Sequence, residues 1–443
     1  MVNLAWISIT KRSALIMILI ITSIIVIDTT VVKYVTYTNK EITTSFKVQL
    51  FILFFIIFSV TSLILVKSIN KNGSNFRPNS RLRYFDIMIW VSQFLLISLV
   101  VFIILQMVIL GNYTVISLFA SVYVSFIFGA LFLVSLVVIL FQWFRFHKNY
   151  SLLFYAISFT LILLNILVSA IYFTTQLPYQ TTLKKPYPIH LYLVNLPRSE
   201  LANYFGVTLD VLSLLSFIST WIATAKLLGQ YRNRIGKVKY LAMVGIPLIY
   251  FLFPFETYFA NFSHQLILLS PVVFSVIYLV IFSATKQVGG ILFGMVYLTA
   301  SDFIKRPDLR TSVLATAIGM VIIFSSLEID SLIYAVYPPF GLITVCFMPL
   351  GAYLLLVGIH TSARRVSEDA ALRREFYKKA ENQLDLLKSI GLIEMERELL
   401  SRYKPVMDRS KKMQNGHYQQ LEQEDVKEMI HDVLQELKSR KHL

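Results

Sequence analysis

The chain has 443 residues, 56% of them apolar and 15% charged, with a net charge of +16 and a mean hydropathy of +0.67. Soluble domains run near ~25% charged, so this composition excludes a soluble enzyme, a secreted disulfide scaffold and a disordered chain. Cys346 is the single cysteine, which leaves no intrachain disulfide and no cysteine-based metal cluster.

The average hides a division. Residues 1–361 carry 24 Lys/Arg and 10 Asp/Glu, while residues 362–443 carry 17 and 15. The fold class expected is all-α: a polytopic transmembrane helix bundle over 1–361, followed by a charged cytoplasmic helical tail over 362–443.

A membrane helix needs about 20 apolar residues. Ten such runs follow one another: 13–35, 48–66, 84–110, 115–143, 151–175, 206–228, 240–258, 265–285, 312–334 and 340–361. They are continuous rather than alternating, which favours helices over a barrel. The runs 84–110 and 115–143 exceed the ordinary hydrocarbon thickness and must tilt, bend or project. Lys11 and Arg12 precede a first run that is too long for a signal peptide.

If ten helices cross, 17 basic residues fall on the side of Lys11 and six on the other. That bias places both termini in the cytoplasm of a cell membrane. In this count 286–311 lies wholly on the Lys11 side. Residues 287–300 carry Gly289, Gly290 and Gly294 and read as a re-entrant helix or as a continuation of the run before it. The outer loop 176–205 holds Pro178, Pro186, Pro188 and Pro197, which makes it extended, and its tyrosines suit a cap on the helix ends.

No Pro or Gly lies between Gly358 and Gly391, so one helix is expected to leave the membrane and continue into the tail. Ala370, Tyr377 and Leu384 fall seven apart, as do Val366, Arg373, Ala380 and Leu387. This imperfect heptad reads either as a short coiled-coil stalk or as a helix packed on the rest of the tail. Near the end, Val426, Met429, Ile430, Val433 and Leu437 form one apolar stripe, with Glu428, Asp432 and Glu436 on the polar face. Anionic lipid would repel those acids, so the stripe is a candidate face for a cytoplasmic protein partner or a second copy of the chain.

Motifs for chemistry are missing. No His-Glu-x-x-His, no P-loop and no Gly-x-Ser-x-Gly occurs. This weighs against an enzyme, and the sequence calls for no cofactor, metal or nucleic acid. Acidic residues in the body carry more information, because an ionisable group in lipid costs at least ~2.5–3.5 kcal/mol and normally has a partner or a role. Asp28, Asp210, Glu256, Glu328 and Asp330 fall within or at the outer ends of the runs and are candidates for an outward-facing polar cavity. The competing reading leaves each at a wet interface. Asp86 and Asp302 read as caps near helix starts.

Three functions stay open. A sensory or regulatory protein would pass a change in the bundle to a tail partner. A secondary transporter would divide ten helices into inverted halves, although the runs 13–35 and 206–228 lack the expected interruptions. A lipid-linked transferase would carry an acidic pair in its first outer loop, where only Glu41 is found.

One resemblance bears on the junction. The stretches Tyr337-Pro-Pro-Phe-Gly341, Pro349-Leu-Gly-Ala-Tyr-Leu-Leu-Leu-Val-Gly-Ile-His360, Arg365-Val-Ser-Glu-Asp369 and Leu372-Arg-Arg resemble uncharacterised multi-pass membrane proteins of ammonia-oxidising archaea. The resemblance covers some 40 residues. It implies an archaeal cell membrane and a repeated junction design, and it carries no activity with it.

Overall fold

The structure is a computed structural model that describes residues 10–38, 44–74, 80–146, 150–176, 182–184, 200–229, 232–252, 285–302, 304, 306–327, 332 and 337–368. The helices are α1 (Lys11–Thr38), α2 (Thr44–Ser74), α3 (Ser80–Leu110), α4 (Val115–Phe146), α5 (Tyr150–Gln176), α6 (Glu200–Gly229), α7 (Arg232–Ile235), α8 (Lys237–Leu252), α9 (Thr285–Asp302), α10 (Pro307–Ser325), α11 (Leu342–Cys346) and α12 (Met348–Glu368). Two three-residue strands, β1 (Asn112–Thr114) and β2 (Thr182–Lys184), pair antiparallel with Tyr113 opposite Leu183.

Among the described residues, six segments are long and apolar enough to cross a bilayer: Ser45–Ile69, Arg83–Leu110, Val115–Arg145, Tyr150–Thr175, Tyr204–Gly229 and Leu342–Arg364. The architecture fits a multi-pass membrane protein. Each of the six falls on an expected run. The run 265–285 lies outside the described residues, as does everything after 368, including the tail and its apolar stripe.

Helix phase explains which face each helix buries. On α1 the buried positions are Ala14, Ile18, Ile21, Ile25 and Asp28, spaced alternately four and three, while Leu15, Ile16, Leu19, Ile20 and Ile27 are exposed. That spacing is one stripe of a helix, and the exposed leucines and isoleucines are the composition of a lipid-facing surface. On α3 the same spacing runs through Ile89, Gln93, Leu96, Val100, Ile103 and Met107, all buried.

The centre of the bundle is α12. In the most apolar stretch of Leu342–Arg364, 94% of positions are buried inside the protein, against 28% in Arg83–Leu110. The helices α9, α10 and α12 approach at backbone distance because their contact positions are small. A β-carbon on Gly319 would stand 2.9 Å from the Leu355 nitrogen and 3.0 Å from the Gly351 oxygen; one on Gly294 would stand 3.0 Å from the Ala317 oxygen. Lipid offers no hydrophobic drive for helix association, so close packing of this kind supplies the attraction. Elsewhere polar groups do the joining. Asn165 on α5 donates to the Leu209 carbonyl at 3.2 Å and to Ser213 Oγ at 2.8 Å on α6, and Ser158 bonds Thr220 farther along the same seam.

The glycine contacts also set direction. Gly290 lies against Val321 and Ser325, and Gly294 against Ala317, so α9 runs antiparallel along α10. Lys11 bonds both carboxylate oxygens of Asp302, and Arg310 approaches the same group at 3.9 Å. The start of α1, the end of α9 and the start of α10 therefore share one end of the bundle. The start of α9 lies at the other end. This corrects two expectations. Residues 286–311 do not lie wholly on the Lys11 side, and 287–300 does not enter and leave at one face, because its glycines let it lie flat along α10. Asp302 also ends a helix rather than starting one. Gly358 on α12 meets Ser312 and Thr316 on α10, so α12 runs antiparallel to α10 and leaves the bundle at the Lys11 end.

The expected run 312–334 is shorter in the structure: α10 stops at Ser325 and turns at Ser326. The run 340–361 is not one helix either. It is interrupted at Phe347, and Pro349 in the first turn of α12 has no N–H to bridge the gap. The expected extended character of loop 176–205 is met at β2, whose pairing with β1 ties that loop to the α3–α4 turn.

Candidate functional site

The described chain before α12, from Tyr337 to Phe347, is buried, and the burial continues along α12 to Gly358. It descends into the bundle from the end that carries β1. Tyr337 stacks on Tyr113 with ring centroids 6.1 Å apart and donates its hydroxyl to the Met107 carbonyl at 3.4 Å. Burial pushes the Tyr113 phenol up, with Tyr337 beside it adding to the effect, and burial raises Tyr337 as well. Both therefore stay protonated hydrogen-bond donors at ordinary pH. Phe340 meets Phe51 edge-on at 6.0 Å, and Phe347 meets Phe58 at 4.7 Å. Phe51 and Phe58 are two turns apart on α2, so the segment travels about 10 Å in depth.

Non-helical backbone at this depth must have its polar groups met by protein. The partners come from three directions. Within the segment, Leu342 N–H donates to the Pro339 carbonyl at 3.2 Å and Val345 N–H to the Gly341 carbonyl at 3.0 Å. Gly341 takes φ 91°, a left-handed conformation that suits glycine. From α4, Ser125 donates its hydroxyl to the Val345 carbonyl at 2.6 Å. From α1, Asp28 reaches across: its Oδ2 accepts the Thr344 amide at 3.1 Å and the Thr344 hydroxyl at 2.8 Å. The Gly341 amide also faces the carboxylate. Oδ1 accepts no hydrogen bond. Asp28 is fully buried, and no cation among the described residues lies within ion-pair distance of it.

Two further polar groups interrupt apolar stripes. Asp86 on α3 accepts the Tyr353 hydroxyl of α12 at 2.7 Å. It is not a helix-start cap, because it is the seventh residue of α3 and reaches across to another helix. Gln93, two turns farther along α3, is fully buried with neither amide atom hydrogen-bonded.

Of the five acids expected to line a cavity, Asp28 and Asp210 are described. Asp28 is buried against α11, and Asp210 is exposed on α6. Glu256, Glu328 and Asp330 lie outside the described residues, as do Val426, Met429, Ile430, Val433 and Leu437. Among the described residues, no three His, Cys, Asp or Glu side chains come together as a metal site.

Sequence reasoning singled out Asp28 but missed its partners, Thr344 and Gly341, along with Ser125, Gln93 and Tyr353. One signal was available: Asp28, Asp86 and Gln93 all fall in phase with a buried stripe. A polar residue in phase with apolar ones is committed to the interior.

The fold and this site define a multi-pass membrane helix bundle with a buried carboxylate at an interrupted central helix. Comparison with protein-family models, with functionally characterised proteins and with solved structures finds no match.

Proposed function

We propose that this chain is a regulatory membrane protein in which α12 carries the state of the bundle to a cytoplasmic protein partner bound by the tail. The observation that carries this reading is the course of α12. It lies in the most buried of the six spanning segments, and it continues without interruption to Glu368. A rigid helix whose one end is buried passes motion along its length when that end is repacked. The excess of basic residues at the Lys11 side supports a cell membrane with both termini in the cytoplasm. The archaeal setting belongs to the same proposal and rests on the junction motifs.

The test uses the full chain in its native membrane. Crosslinking from the tail is expected to capture a protein that is lost when residues 369–443 are removed. Gly319→Leu, which forces α10 from α12, is expected to change that capture. A full chain that captures nothing through its tail would overturn the regulatory reading.

A secondary transporter is the second reading, favoured by one observation. The interrupted segment 337–347, with a buried carboxylate against it, is the kind of broken helix that binds coupling ions in transporters. Solute flux in proteoliposomes that depends on Asp28 would shift the assignment to transport.

A further inference from the structure

We propose that Asp28 is a proton-binding site, and that its ionised carboxylate latches the 337–347 segment into the bundle.

Two opposing effects act on this side chain. A fully buried carboxylate with no cation among the described residues beside it is costly to ionise. Against that, the Thr344 amide and hydroxyl both donate to Oδ2, and the Gly341 amide faces the same group. Such donors favour the anion and are stronger to an ionised acceptor than to a neutral one. A group held between these effects changes state rather than staying in one. Oδ1 is the atom left for the proton, since it accepts no hydrogen bond. The step is reversible proton transfer from hydronium: one of its O–H bonds breaks to leave water, an O–H bond forms at Oδ1, and the positive and negative charges cancel.

The neighbours do not supply the charge another way. The α10 stretch from Thr311 to Ser325 has no ionisable side chain. The α11 helix brings Cys346, whose thiol is fully buried and neutral. On α2, Lys47 is buried in the first turn and makes no ion pair among the described residues. On α9, Tyr297 is buried and Asp302 is engaged by Lys11 at the other end of the bundle. The side chains of Lys33, Lys286, Glu328 and Asp330 lie outside the described ones.

Protonation converts two charge-assisted hydrogen bonds on Thr344 into weaker ones. The segment they hold breaks at Phe347, where Pro349 has no N–H to continue the backbone bonding into α12. Release there loosens the buried start of α12. This inference goes beyond the regulatory reading by naming an input. A titrating Asp28 in a chain whose tail binds nothing would leave the site standing and remove only that reading.

The experiment uses the full chain in neutral-lipid nanodiscs, with two measurements. In pH-difference infrared spectra, a protonated carboxylic C=O band is expected to grow on acidification and to be missing from Asp28→Asn. Thr344→Val, which keeps size but removes one donor to the anion, is expected to shift that band's midpoint to higher pH. Cys346, the single thiol, reports release. Its labelling by a membrane-permeant maleimide, relative to a free thiol at the same pH, is expected to rise roughly tenfold or more on acidification, the change for losing a hydrogen bond to a charged group. In Asp28→Asn the fast rate is expected at every pH. A wild-type chain with no such band, or with labelling independent of pH, overturns the proposal. So does a midpoint unmoved in Thr344→Val. A band and labelling that follow sodium at fixed pH overturn the proton in favour of a monovalent cation.

Discussion

Tyr353, on the central helix α12, donates its hydroxyl to Asp86 of α3 at 2.7 Å. The ring is fully buried and meets Phe132 edge-on at 5.6 Å, so packing and hydrogen bond are separable. Tyr353→Phe keeps the ring and removes the donor from an acidic acceptor. The expected loss is about 1–3 kcal/mol, read as a lower melting temperature in detergent or nanodiscs. An unchanged melt would mean that Asp86 finds an equal donor elsewhere.

The glycine contacts make a paired prediction. Gly319→Ala places a methyl group 2.9–3.0 Å from the backbone of α12, which must move. Overpacking of this kind costs about 1–3 kcal/mol. Gly206 lies in α6 with nothing within 4 Å of an added β-carbon. Gly206→Ala is expected to be neutral or to gain up to about 1 kcal/mol from helix propensity. The two melts should move in opposite directions.

The α5–α6 seam should be weaker than its hydrogen-bond count suggests. Asn165 donates to Leu209 and Ser213 and accepts from Ser169. Interhelical polar bonds in membranes average near ~0.6 kcal/mol, with a maximum near ~1.7. Asn165→Ala is expected to fall in that range. A larger loss, measured by unfolding in mixed micelles, would show that the seam acts as one cooperative network.

The ion pair at the opposite end should matter little to stability. Lys11 and Asp302 are 35% and 41% exposed, and exposed pairs contribute about 0–1 kcal/mol, less in salt. Asp302→Asn is expected to change the melt by under about 1 kcal/mol, with the difference shrinking as salt rises. A salt-insensitive loss would assign this pair a structural role.

Much of the bundle is legible in the chain because lipid imposes a simple rule: backbone donors and acceptors must be met within one helix, over a run of apolar residues. The runs 48–66, 84–110, 115–143, 151–175 and 206–228 each become a helix of spanning length. Hydropathy fails where protein, rather than lipid, covers the backbone. Residues 312–361 are almost uniformly apolar, yet α10 stops at Ser325 and the described chain from Tyr337 folds as a buried turn, α11 and α12. Pro338, Pro339, Gly341 and Pro349 mark that break, but apolar content alone does not tell a lipid-facing helix from a segment inside the bundle.

For the site, the sequence by itself marked Asp28 as one of five acids in or beside apolar runs and left a wet interface open for each. It also determined the membrane setting and the contrast in charge between residues 1–361 and 362–443. Only the tertiary structure decided what Asp28 does. Its donor Thr344, and Gly341 facing it, lie more than 300 residues away, beside the interruption before α12. It also decided that α9 lies along α10, since Gly290 and Gly294 acquire meaning only when Val321 and Ala317 face them. Local pattern fixes which face of a helix is buried. Which groups that face meets depends on the packing of distant helices, and that is a property of the assembled bundle.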